Sequence, residues 1–166
     1  MTADKFDIRL ALRLKLFMQQ NNATISTAES CTSGRIGATI TCVDGSSTYY
    51  QGGIIAYQNR IKEQYLDVTS QMIETHDVVS QEVVLRMADA CRRRFNTHYA
   101  IATTGYTGEG NDRVPSGTVY IGFASPTDTC AFELCLPHST REENTRTATR
   151  TAMTRFLEWV GESKVK

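Results

Sequence analysis

The chain reads as an α/β protein, a three-layer α/β/α sandwich with a mixed sheet, folded as one domain over residues 1–166. Three observations predict this. Short runs rich in β-branched or small apolar residues, at 23–27, 49–57 and 99–103, alternate with segments whose apolar positions recur at helical spacing. Two further strand-like runs, 118–124 and 130–136, are joined by Pro126-Thr127-Asp128 and so form a hairpin, which makes the sheet mixed. A length of 166 residues is that of one domain with a full core, and strands alternating with helices bury their apolar faces in layers.

The elements follow in order. Residues 5–20 form an amphipathic helix through Leu10, Ala11, Leu14, Phe17 and Met18, stopped by Asn21 and Asn22. The first strand runs to Thr27, the turn TAESCTSG (27–34) follows, and a helix spans about 35–41 before the turn 43–47. The strand at 49–57 contains Gly52 and Gly53, a sign of a bulge or a close backbone approach. A short helix at 59–66 carries Lys62, and one or two helical turns lie within 68–77. Ser80 caps a helix to about Asn96, whose inward face is Val83, Val84, Met87, Ala88, Cys91 and Phe95. The strand at 99–103 runs into a glycine-rich loop, 104–117. Thr140 and Glu143 have capping-box spacing at the start of the last helix.

Composition excludes several classes of function. Eighteen Lys and Arg balance eighteen Asp and Glu, which argues against a nucleic-acid or anionic-membrane binder. No run approaches the ~18 apolar residues of a membrane span. Asp4, Asp7 and helical periodicity at the N-terminus do not read as a signal peptide. Five cysteines (31, 42, 91, 130, 135) form no CxxC pair, and the three histidines (76, 98, 138) lie far apart, so no metal site is expected. Reduced thiols imply the cytoplasm.

Ligands of α/β sheets collect outside the carboxyl ends of strands, where this reading puts Ser30 and Thr104. Ser30 is either a nucleophile beside free backbone N–H groups or a helix cap, and the residues alone leave both open. Neither GxGxxG, GxxxxGK[ST] nor GxSxG occurs, and no histidine is placed to activate a serine. A desolvated lysine can do so, and Lys62, after the polar turn Tyr57-Gln58-Asn59, is the candidate, although most lysines are solvated surface groups.

Five motifs then occur in order: TAESCTSG (27–34), DGSS (44–47), GGIIAYQNRIK (52–62), VVS (78–80) and TTGYTGEG…VPSGTVYIGFA (103–124). Together they resemble the signature of the CinA (competence/damage-inducible protein) C-terminal domain family, whose stand-alone members are nicotinamide-nucleotide amidohydrolases. The similarity covers roughly residues 5–159. It does not extend to the N-terminal domain of full-length members, whose metal-dependent chemistry is not implied. The resemblance implies deamidation of nicotinamide mononucleotide by a Ser–Lys mechanism, without cofactor or metal, in a homodimer or higher homo-oligomer. On the matching positions Ser30 and Lys62 are the catalytic pair and Tyr57 joins them. Thr32, Ser33, Ser46, Ser47, Thr104, Gly105 and one of Arg141 or Arg146 are implied to bind the nucleotide.

The chain departs from the family pattern where glycine is expected at Ser33, proline at Asp44, a small aliphatic residue at Tyr106, and an Ala-Gly-Pro run at Thr107-Gly108-Glu109. Glu109 brings negative charge to a loop expected to hold a phosphate. These departures also admit a silent or substrate-altered relative that binds a nucleotide or another small molecule.

Overall fold

In the computed structural model, which describes residues 4–137 and 139–162, five strands form one sheet in the order β2-β1-β3-β4-β5. The strands are β1 (Ile25–Glu29), β2 (Tyr50–Ile55), β3 (Tyr99–Gly105), β4 (Thr118–Ala124) and β5 (Thr129–Cys135). β1, β2 and β3 are mutually parallel, and β4 runs antiparallel to both of its neighbours, so the expected hairpin supplies the mixed character. The helices are α1 (Lys5–Gln20), α2 (Arg35–Ile40), α3 (Asn59–Tyr65), α4 (Ser70–His76), α5 (Gln81–Phe95) and α6 (Arg141–Glu162).

Two apolar clusters, one on each face of the sheet, make the three layers. One joins Leu10, Leu14, Met18, Ile36, Ile40, Phe156 and Val160 of α1, α2 and α6 to Ile25, Ile101 and Phe123 of the strands. The other joins Leu66 and Val68 to Val83, Val84, Met87 and Cys91 of α5 and to Ala28, Ala100 and Ala102. Alanines on this face of β1 and β3 let α5 sit close, and Gly122 continues that contact: a Cβ there would meet Val84 O at 2.9 Å.

Both readings of the Gly52-Gly53 pair hold. The β1–β2 register shifts between Ile25↔Tyr50 and Ser26↔Gly52. A Cβ on Gly53 would lie 2.2 Å from Thr27 Oγ1. Ser80 caps α5 by accepting from Val83 N, and Thr140 and Glu143 exchange backbone-to-side-chain bonds at 3.2 Å at the start of α6. β3 is longer than its sequence predicts: Thr104 and Gly105 pair with Tyr120 and Val119 instead of opening the loop. A second cap is absent from the sequence reading, Thr69, which accepts from Met72 N and starts α4.

The connection from β1 leaves toward β2 on one side, and the chain returns to place β3 on the other side. That arrangement opens a crevice outside the carboxyl ends of β1, β2 and β3.

Candidate active site

The crevice is a cleft of about 280 Å³ lined by residues from five parts of the chain. Ser30 and Cys31 follow β1, Tyr57 follows β2, and Asn59 and Lys62 belong to α3. Val78 and Val79 precede α5, Thr104 and Gly105 end β3 with Tyr106 just after it, and Arg141 begins α6.

Glu29 builds the turn on which Ser30 sits. α2 starts at Gly34, which has a left-handed φ of 89° and no side chain to accept from the first turn. The buried Glu29 carboxylate does so instead, taking N–H bonds from Gly34 (3.0 Å), Ile36 (3.0 Å) and Gly37 (2.9 Å) and the Thr32 hydroxyl at 2.7 Å. Thr32 also shares a hydrogen bond with Thr103 Oγ1 at 2.8 Å. It is buried and lies outside the cleft lining, holding β1 to β3. Ser33 adopts φ 52°, a left-handed conformation that explains the glycine expected there, and its hydroxyl donates to Ser30 O. The Ser33 N–H is also spent on Ser30 O, at 3.1 Å. Among the described residues the Thr32 N–H and the Ser30 hydroxyl have no hydrogen-bond partner, and the Cys31 N–H is engaged by its own thiol alone. Ser30 is therefore not a helix cap. That duty belongs to Glu29, which sequence reading passed over although a helix opening on glycine needs an acceptor from elsewhere.

Lys62 is the buried residue of α3, 2% exposed. Its Nζ donates to Ala56 O at 2.8 Å, and no carboxylate among the described residues balances it. Burial draws its pKa down to about 8. The Cys31 thiol beside it is pushed up to about 12 by its own burial, so it stands protonated at neutral pH. No hydrogen bond joins Lys62 to Ser30; the two face the same cleft.

The rim carries Tyr57, 54% exposed, whose hydroxyl accepts from Arg141 Nη2 at 2.7 Å. Arg146 instead pairs with Glu142 at 2.8 Å, outside the lining, so the cleft takes in Arg141 of the two arginines. Thr104 is buried and donates to Val78 O at 2.8 Å, joining the end of β3 to the opposite wall. A Cβ on Gly105 would lie 2.7 Å from Val119 Cγ2, so this position admits glycine alone without a shift. Ser46 and Ser47 stand apart. They lie in a short 3₁₀ turn, Ser46–Thr48, just before β2, at the end of the parallel strands opposite to Ser30. Glu109 is exposed and absent from the lining, which removes its charge from the cleft wall.

Asp77 and Asn111 were not legible as site residues. Asp77 is buried at φ 73°, ψ 154°, accepts from Val79 N at 2.9 Å, and receives Asn111 Nδ2 at 3.0 Å. Among the described residues no group of His, Cys, Asp or Glu could hold a metal ion; His138 lies outside them. No helix among them is long and apolar enough to cross a membrane.

Comparison with known proteins places these features in a family. The family model described as CinA C-terminal domain matches residues 7–160. A CinA-like protein of Parasynechococcus marenigrum is 42% identical over 122 residues, 72% of this chain and 29% of its own length. Another, from Desulfosudis oleivorans, is 39% identical over 144 residues, 84% of this chain and 35% of its own length. The chain thus spans about a third of the curated relatives that it matches. Among solved structures, a competence/damage-inducible protein from Agrobacterium tumefaciens superposes with a TM-score of 0.90 at 28% identity, covering 95% of this chain and 98% of its own. A CinA superfamily protein from Escherichia coli gives 0.90 at 25% identity, over 96% and 94%.

Proposed function

Because the chain belongs to the CinA C-terminal domain family, we propose that it hydrolyses the carboxamide of nicotinamide mononucleotide, giving nicotinate mononucleotide and ammonia. One observation carries the reading: a buried lysine, its pKa near 8, opens onto the cleft that holds a serine hydroxyl, and among the described residues neither the lysine has a carboxylate partner nor the hydroxyl a hydrogen bond. Neutral, the Lys62 amine keeps an N–H for Ala56 O and has a lone pair to accept the Ser30 proton. Ser30 Oγ attacks the carboxamide carbon, and the Cys31 and Thr32 N–H groups are the donors available to the oxyanion, a role worth about 3 kcal/mol per donor. Lys62 returns the proton to the departing amine, which leaves as ammonia. Neutral again, Lys62 takes a proton from water, whose oxygen attacks the acyl ester, and delivers that proton to Ser30 Oγ as the carboxylate is released. Arg141 at the rim suits the phosphate. A homodimer or higher oligomer belongs to the same proposal.

Ammonia release from nicotinamide mononucleotide, lost in Ser30→Ala and Lys62→Ala, tests the reading; release equal to that of the Lys62→Ala protein overturns it. The Tyr106 ring in the lining favours a second reading, binding without turnover. That reading predicts a nucleotide-dependent rise in melting temperature with no ammonia.

A further inference from the structure

Tyr106 stands in the cleft wall where the family pattern has a small residue, and the structure fixes it from three sides. Its backbone is paired at both ends, N–H to Thr118 O at 2.9 Å and O from Gly117 N at 2.8 Å. Its hydroxyl accepts from Asn111 Nδ2 at 3.0 Å. The Asn111 amide is committed throughout: Nδ2 also donates to Asp77 Oδ2, and Oδ1 accepts from Arg113 N at 2.9 Å and Val114 N at 2.7 Å. The Arg113 guanidinium in turn grips Glu74 O and Thr75 O at the end of α4. Such a clamp exceeds what one exposed turn needs, and it holds a flat ring still. With the hydroxyl engaged, the ring is what Tyr106 has left to offer a ligand.

We propose that Tyr106 is the specificity-determining residue of the cleft, a platform that favours a planar, cationic aromatic amide over an uncharged, non-aromatic one. This rests on the proposed function. A pyridinium over a phenol ring gains cation–π attraction that a dihydropyridine lacks, while ribose, phosphate and carboxamide stay the same in both. Discrimination of about fivefold corresponds to the attraction usual at partly exposed sites.

The test is calorimetric titration of the Ser30→Ala protein, which removes the chemical step, with nicotinamide mononucleotide and its dihydro form. The oxidised nucleotide binds about fivefold tighter; adding Tyr106→Leu, which keeps bulk but not the ring, brings the ratio to about one, and adding Tyr106→Phe, whose ring the paired backbone still places, keeps most of it. A ratio unchanged by Tyr106→Leu overturns the role of Tyr106 and leaves the proposed function standing. Failure of both nucleotides to bind overturns the two together.

Discussion

Lys62 is the residue at which folding and chemistry pull against each other. Its ammonium is buried with one carbonyl as partner, and its pKa falls from 10.5 to about 8. Below pH 8 both folded and unfolded chains carry the charge, and the folded state bears the whole burial cost, about 3 kcal/mol. Between about pH 8 and 10.5 the unfolded chain holds a proton that the folded one has lost, so stability from this group rises with pH. Lys62→Met therefore stabilises the protein at pH 7 by about 1–2 kcal/mol, the lost bond to Ala56 O taking back the rest. The gain shrinks toward pH 10. Urea unfolding at the two pH values measures both. An equal effect at each pH would show that burial of charge is not the cause.

At the scale of elements, the turn that carries Ser30 is held by a strand residue capping a helix too short to stand alone. Glu29→Ala removes four hydrogen bonds to a carboxylate and destabilises the fold by about 3–4 kcal/mol, whereas Glu29→Gln keeps some acceptors and costs about 1–2 kcal/mol. Thermal unfolding of the two variants reads the difference; a loss under 1 kcal/mol in Glu29→Ala would mean that the turn holds itself. The other wall depends on packing between elements distant in sequence. Asn144 Nδ2 of α6 donates to Thr107 O at 3.0 Å, and Arg113 reaches the end of α4. These contacts close the 106–117 loop onto the cleft.

For the whole molecule, periodicity was enough for the layers because each strand and helix buries one consistent face. The helix of residues 5–20, the capped helix from Ser80 and the hairpin at 118–135 were all legible in this way. Ser30 and Lys62 stood out in the sequence as candidates, and the sheet order brings them to one crevice by placing β1 between β2 and β3. What the sequence hid depends on partners far along the chain. Thr32 looked like a ligand-binding hydroxyl until Glu29 and Thr103 were seen to occupy it. Asp77 was only the end of a helical segment until Asn111, 34 positions on, met it. Ser46 and Ser47 carry a motif, yet the direction of β2 puts them at the amino ends of the parallel strands, away from Ser30.

The central claim, that neutral Lys62 activates Ser30, is tested most directly by the pH dependence of kcat/KM for ammonia release from nicotinamide mononucleotide. The base must be deprotonated, so kcat/KM rises tenfold per pH unit at low pH and levels off above a midpoint near 8, the value to which burial draws Lys62. A profile flat from pH 6 to 9, or one that keeps its shape in Lys62→Ala, would contradict it.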